Sequence, residues 1–459
     1  MKPTKTQATR TEIPFQVDLL DLHVMRPQRY PFFLESAIDQ APLGRYDILF
    51  AFPGESLRLD ANLTVHGSMQ YREQGFLASL DRWWSQLKQS RAADVDLPFV
   101  GGWFVFLGYE LAQEIEPSLH LATEPGLPVA VATRIPIAVI RDRLRATAWI
   151  IAEPGSASAV KEVEADLAEL KVSDDSFAPI LSGSVTEEPP ERFLGAVDAA
   201  KAHITAGDVF QANLSRKWTA LLTPGVEPAA VYRRLRRSNP APFAGLAVYD
   251  EFAIISSSPE RLLRSRAGRV ETRPIAGTRP RDEAANSDES RRVELLAHPK
   301  ERAEHVMLID LERNDLGRIC KPGSVKVDEF MVVESYSHVH HIVSNVGGQL
   351  LDSATPGNMI RAVFPGGTIT GCPKVRCMQI IHELEAHPRS AYTGAMGYIS
   401  RDGSSDFNIL IRTITTVNRD LSFATGSGIV ADSDPLQELE ETRAKAKGLL
   451  LALQPDRSD

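Results

Sequence analysis

From Phe243 to Val430 the chain repeatedly makes a short apolar, β-branched run, turns within a few residues, and makes another. FAGLAVYDEFAIISSSPERLL, MGYISRDGSSDFNILIRTITTV and LSFATGSGIV all have this form. Runs joined so closely read as strands in hairpins, because a parallel pair needs a long crossover. RYDILFAF, PFVGGWFVFLGYEL, VAVATRIPIAVI and RATAWIIA extend the pattern over about residues 11 to 170. Helical spacing appears in ERFLGAVDAAKAHITAG, which closes on Gly207, and in NMIRAVFP, CPKVRCMQIIHELE and PLQELEETRAKAKGLLLALQ. Hairpins with helices interspersed predict a large α+β sandwich rather than a doubly wound parallel fold.

A chain of 459 residues, 43% of them hydrophobic, can bury a substantial core. The composition predicts an N-terminal α+β region over 11–171, an exposed connection over 172–190 in VSDDSFAPILSGSVTEEPP, and a second region over 191–455. A formal charge of −9 argues against general nucleic-acid binding and leaves small anionic metabolites open. The longest apolar runs, such as FVGGWFVFLGY, are too short and too Gly-rich to span a bilayer. The polar N-terminus carries no export signal, and Cys320, Cys372 and Cys377 lack zinc-type spacing. These features predict a cytoplasmic protein with reduced thiols.

Two Glu-x-x-Glu pairs lie just inside predicted helix starts, Glu301/Glu304 after Pro299 and Glu438/Glu441 after Pro435. Residues three apart share a helix face, so each pair can aim two carboxylates at one point. The helix dipole alone favours acids there, so a solvated first turn is the competing explanation. Four carboxylates without a His/Cys cluster are hard oxygen donors that suit Mg²⁺. FPGGTITGCPK, Phe364 to Lys374, can present backbone N–H groups to an anion, although it lacks the P-loop order. Arg412 sits in the apolar run ILIRTITTV, where a guanidinium is costly to bury unpaired. Lys445 lies four residues after Glu441, so an ordinary helix ion pair also explains it. His341 is expected to point opposite to His340 along a strand.

These residues resemble the chorismate-utilising enzymes, the family of anthranilate synthase component I, aminodeoxychorismate synthase component I and isochorismate synthase. The likeness runs through RPIAGTRPR at 273–281, ERAEHVMLIDLERNDLGR at 301–318, HHIVS at 340–344, FPGGTITGCPKVR at 364–376, GSGIVADSDP at 426–435 and ETRAKAK at 441–447. FFLES, RYDIL and FLGYEL extend it toward the N-terminus. The resemblance implies one large α/β sandwich of two antiparallel sheets, binding chorismate and Mg²⁺ in a cleft. It implies Glu304 and Glu441 as metal ligands, with Glu301 and Glu438 holding metal-bound water. Tyr392 and Arg412, with the N–H groups of Gly426 and Gly428, match the receptor for the enolpyruvyl carboxylate. Lys445 matches a second carboxylate contact, His341 the acid/base histidine near the leaving hydroxyl, and Thr368 a ring-facing hydroxyl. Glu35 and Ser36 in FFLES resemble a segment that lines a tryptophan pocket in relatives.

Within the family, isochorismate synthases resemble one another in a water-activating lysine where this chain has Gln211, which is similar to the ammonia users. FPGGTITG and RYDIL resemble the enzymes that aminate chorismate at C4 rather than the FPAGTVSG of typical anthranilate synthases. Ala276 departs from that branch, because it stands where well-known members carry a lysine nucleophile, and a methyl group cannot attack carbon. The expected reaction is Mg²⁺-dependent amination of chorismate to 4-amino-4-deoxychorismate, with conversion to anthranilate as the alternative. A non-catalytic scaffold that binds chorismate-like anions is the alternative from another class. None of the three cysteines has the G-x-C-x-G setting of a glutamine amidotransferase, so ammonia is expected from a separate amidotransferase subunit.

Overall fold

A computed structural model describes residues 8–38, 44–90, 96–171, 179–281, 285–335 and 339–454. Two sheets dominate it, one of 12 strands and one of 11, and every named strand pair is antiparallel. The larger sheet runs, in chain segments, 9–13, 147–152, 137–142, 46–51, 32–35, 243–248, 252–258, 413–417, 420–429, 211–221 and 186–187, with 371–372 beside 211–221. The smaller runs 275–280, 339–349, 269–273, 261–266, 405–409, 395–400, 102–107, 130–135, 56–59 and 65–66, with 326–335 beside 339–349.

Alternation along the strands sets the layers. Phe32 stacks on Phe104 with centroids 4.3 Å apart, joining one sheet to the other in a core with Phe50, Phe106 and Tyr398. Phe33, the next residue, faces outward into a core with Tyr232 and Leu449, under helices Pro228–Ser238 and Pro435–Leu453. On the outer face of the smaller sheet, Trp103 and Val105 pack with Phe76 and Met359 of helices Phe76–Leu87 and Pro356–Val363. The fold is therefore helices, sheet, sheet and helices, an α+β sandwich.

Both sheets take strands from both halves of the sequence. Phe32–Glu35 pairs with Phe243–Val248, and Gly102–Leu107 pairs with Ala395–Ser400. Of the expected connection over 172–190, residues 172–178 lie outside the described residues, and Thr186–Glu187 adds a short strand beside Thr219 and Trp218. No helix among the described residues is long and apolar enough to cross a membrane. All three cysteines are free thiols.

Candidate active site

Pro299 opens the helix Pro299–Gly317 and Pro435 opens Pro435–Leu453, each at a position where a missing N–H costs nothing. His298 accepts the N–H of Glu301, and Asp434 accepts that of Gln437, so both first turns are capped. Glu304 and Glu301 are half-buried. Gln211 Nε2 donates to Glu304 Oε1 at 2.9 Å. A Cβ on Gly277, at φ 70°, would lie 2.8 Å from Glu301 Oε2, so this glycine lets a strand run against the carboxylate. Glu438 is half-buried, while Glu441 is exposed and pairs with Lys445 at 2.6 Å. Among the described residues no three acidic, histidine or cysteine side chains are grouped closely enough to hold a metal ion. The all-oxygen donor set fits Mg²⁺ in kind, and Lys445 holds Glu441 in the present arrangement.

Arg412 departs from its expected place inside a strand. The run ILIRTITTV is broken: Ser405–Ile409 belongs to the smaller sheet and Thr413–Val417 to the larger, and the chain crosses between them at Arg412 with φ 53°. Such a backbone costs a non-glycine residue of order 1 kcal/mol or more and is characteristic of functional sites. Its guanidinium makes no hydrogen bond or ion pair with any described residue. Burial lowers its pKa, against the opposing pull of Tyr392, Glu441 and Glu260. A half-buried guanidinium without a protein partner is suited to receive an anion.

Tyr392 stands beside it, its phenol pushed up to about 12 chiefly by burial. A Cβ on Gly426 would lie 2.7 Å from the Tyr392 hydroxyl and 2.9 Å from Asn213 Oδ1, and one on Gly428 would lie 2.3 Å from Gln211 Nε2. Glycine is required at both positions for these side chains to approach the strand. Lys445 Nζ donates to the Gly426 carbonyl at 2.9 Å, which ties the Pro435 helix to the same strand.

On the facing sheet, alternation separates the two histidines as expected. His340 bonds Asp288 at 2.8 Å and Ser335 at 2.7 Å. His341 is buried, and burial brings its pKa to about 4, with Arg412, His340 and Lys445 acting in the same direction and a bond to the Gly277 main chain opposing. The ring is neutral at pH 7. Ala276, opposite Ile342 across the strand pair, offers only a methyl group. Thr368 lies in the turn Gly367–Ile369, and its Oγ1 is buried without a hydrogen-bond partner.

Glu260 escaped the sequence reading, where SSSPERLL registered only as a strand. The available signal was an acid at the junction of two apolar runs, and the structure shows the chain passing there from one sheet to the other. Burial raises its carboxyl to about 7; Thr368, the Ile275 N–H and Arg412 pull it down, and Glu312 pushes it up. Glu260 Oε1, Gln211 Oε1, Asn213 Oδ1 and Thr368 Oγ1 are all buried without partners. Buried acceptors without protein partners are open to completion by a ligand or water.

The expected tryptophan segment lies elsewhere. Glu35 lines a cavity of about 430 Å³ between the sheets, together with Arg45, Tyr46, Phe243, Met396 and Tyr398. Its carboxyl accepts from Tyr232 at 2.7 Å and is raised by burial, against the pull of Arg236. Ser36 is buried next to it, its N–H on Asp47 at 3.1 Å.

Comparison with known proteins identifies the family and its fold. The chain is 42% identical to an anthranilate synthase component I-like protein of Synechocystis sp. over 78% of this chain and 74% of that one. It is 38% identical to aminodeoxychorismate synthase component 1 of Bacillus subtilis over 96% of each chain. The crystal structure of anthranilate synthase component I from Streptococcus pneumoniae superposes with a TM-score of 0.79 at 31% identity, covering 90% of this chain and 93% of that one. The family described as chorismate binding enzyme matches residues 41–451, and this chain is a member of that family of chorismate-utilising enzymes.

Proposed function

We propose that this chain aminates chorismate with ammonia to 4-amino-4-deoxychorismate, the precursor of 4-aminobenzoate for folate biosynthesis, in the cytoplasm. The observation that carries ammonia is Gln211. Its Nε2 is committed to Glu304, which fixes the amide orientation and leaves Oε1 buried and unpartnered as an acceptor for an N–H nucleophile. The preference for C4 rests on the Gly366–Gly367 turn. A Cβ at Gly366 would lie 2.8 Å from Ile409 Cδ1, so the alanine of the FPAGT type would require the end of that side chain to shift.

Arg412, Tyr392 and the N–H groups of Gly426 and Gly428 would receive the enolpyruvyl carboxylate, and Lys445 the ring carboxylate. Glu301, Glu304, Glu438 and Glu441 would hold Mg²⁺, which when bound supplies Lewis-acid assistance to departure of the C4 hydroxyl. Glu260 donates a proton to that oxygen as the C4–O bond breaks. Ammonia forms the C4–N bond and sheds one proton to solvent, while His341, kept neutral by burial, would stand near the leaving hydroxyl. Chorismate and ammonia thus give 4-amino-4-deoxychorismate and water. Thr368 faces the ring, and Ala276 takes no covalent part.

One observation favours a second reading, conversion to anthranilate: with Ala276 in the lysine's place, no side chain occupies that position to block or redirect attack at C2. Product analysis separates the two. With chorismate, Mg²⁺ and ammonium salt, 4-aminobenzoate should form only when an aminodeoxychorismate lyase is added; fluorescent anthranilate without the lyase moves the chain to tryptophan synthesis. Ammonia would come from a separate glutamine amidotransferase subunit, so the chain alone should use ammonium salt and leave glutamine untouched. Tryptophan is the candidate occupant of the Glu35 cavity, and a thermal midpoint unmoved by millimolar tryptophan removes it.

A further inference from the structure

Gln211, Asn213 and Ser215 share one face of the strand Gln211–Leu221, because side chains two apart point the same way. Two of them are committed: Gln211 Nε2 donates to Glu304 at 2.9 Å, and the Ser215 hydroxyl donates to Glu385 at 2.9 Å. Asn213 lies between them, and its Oδ1 is buried without a hydrogen-bond partner. A Cβ on Gly426 would lie 2.9 Å from that Oδ1 and 2.7 Å from the Tyr392 hydroxyl, so the amide and the phenol stand over the same glycine. We infer that Asn213 is a substrate-binding residue that selects the enolpyruvyl side chain, its amide donating to the enolpyruvyl carboxylate beside the Tyr392 hydroxyl. The inference rests on Arg412 and Tyr392 as the receptor of that carboxylate.

The main chain of Asn213 is fixed on both sides. Its N–H donates to the Thr370 carbonyl at 2.9 Å, and its carbonyl accepts from Arg389 Nη2 at 2.6 Å. Only the side chain remains to be ordered when a ligand binds, which keeps the entropic cost of the contact small. In the neighbouring strand Asp420–Ile429, Gly428 stands opposite Asn213 and Gly426 opposite Ser215. The two amides therefore run along the site, Gln211 toward Glu304 at the carboxylate end and Asn213 toward Tyr392 at the anion-receptor end. A carboxylate only accepts hydrogen bonds, so it takes the Asn213 amide with Nδ2 turned toward it, a half-turn that exchanges oxygen and nitrogen in nearly the same volume. A neutral donor adds a hydrogen bond to the anion without setting a second cation against Arg412.

The test compares two ligands by their dissociation constants, measured by calorimetry with Mg²⁺ and without ammonium salt. One is chorismate; the other is the dihydroxycyclohexadiene carboxylate in which a hydroxyl replaces the enolpyruvyl ether. The ratio of the two constants is the preference for the enolpyruvyl group, and a merely structural defect weakens both ligands alike. Asn213→Ala keeps both main-chain hydrogen bonds, and its preference should fall about tenfold or more, the order of one hydrogen bond to a charged group. Asn213→Asp has nearly the same shape and sets a like charge beside the carboxylate, so its preference should fall further. A folded Asn213→Ala protein with the preference intact overturns the inference; should that form not fold, an unchanged preference in Asn213→Asp does so. Arg412→Met distinguishes the underlying reading. If the preference survives in that variant, the enolpyruvyl carboxylate is received elsewhere and both fall; if it falls there and Asn213→Ala leaves it unmoved, only the role of Asn213 falls.

Discussion

Arg412 shows why a site residue can be unstable in place and still be kept. Its guanidinium is half-buried, makes no hydrogen bond or ion pair with a described residue, and stands on a left-handed backbone. Arg412→Met should therefore raise the thermal midpoint slightly, because it removes a half-buried charge that pairs with no described carboxylate. The same change should raise KM for chorismate at least about thirtyfold, the order expected when a buried charge loses its partner. Calorimetry and steady-state kinetics on one preparation check both halves of this prediction. Glu110 poses the complementary case. It accepts the N–H groups of Arg389 at 2.9 Å and Ser390 at 3.0 Å, and burial raises it to about 7. A folded-state value above the ordinary carboxylate range means that the folded protein binds the proton more tightly, so stability declines as pH climbs from about 4.5 through 7. Glu110→Gln escapes that decline. Its midpoint should match the unmodified chain near pH 4.5 and exceed it at pH 8 in a thermal-shift series.

At the scale of elements, the Phe364–Thr370 turn and the segment at Arg389 hold the site together. Arg389 donates to Glu385 at 2.7 and 2.9 Å, to the Ile369 carbonyl at 3.1 Å and to the Asn213 carbonyl at 2.6 Å, with its plane near the Tyr109 and Tyr392 rings. No lysine reproduces that fork. The turn itself is packed to contact, so Gly366→Ala should cost about 1–3 kcal/mol through overpacking against Ile409. The added change Ile409→Val should recover part of the loss, and urea unfolding of the single and double variants measures it. The elements were largely legible in the sequence because hairpin alternation, Pro at helix starts and the Gly207 stop are local signals. The break at Arg412 was not, because ILIRTITTV keeps its β-branched character across two strands of different sheets, and only long-range pairing cuts it. Glu260 was hidden for the same reason: the groups that act on its carboxyl, Thr368, Glu312 and Arg412, are distant in sequence. The carboxylate pairs and glycines were visible, whereas the commitment of Gln211 to Glu304 depends on strand Gln211–Leu221 reaching the Pro299 helix.

Across the whole molecule, the interleaving of the two halves decides how the chain unfolds. The strand Phe32–Glu35 is held by Phe243–Val248 and Tyr46–Ala51, and Gly102–Leu107 by Ala395–Ser400 and Ala130–Ile135, so neither sheet is complete without both ends of the sequence. The core between the sheets is likewise shared, with Phe104 stacked on Phe32 at 4.3 Å and in contact with Phe50 at 5.4 Å. A defect in that core is felt by both sheets at once. Phe104→Ala should cost about 3–5 kcal/mol, from lost burial and the cavity left between two stiff sheets. Because no set of strands can melt while the other remains paired, the loss should appear in calorimetry as one transition moved to lower temperature. Two resolved transitions, with one at the original temperature, would show instead that the 11–171 region unfolds by itself.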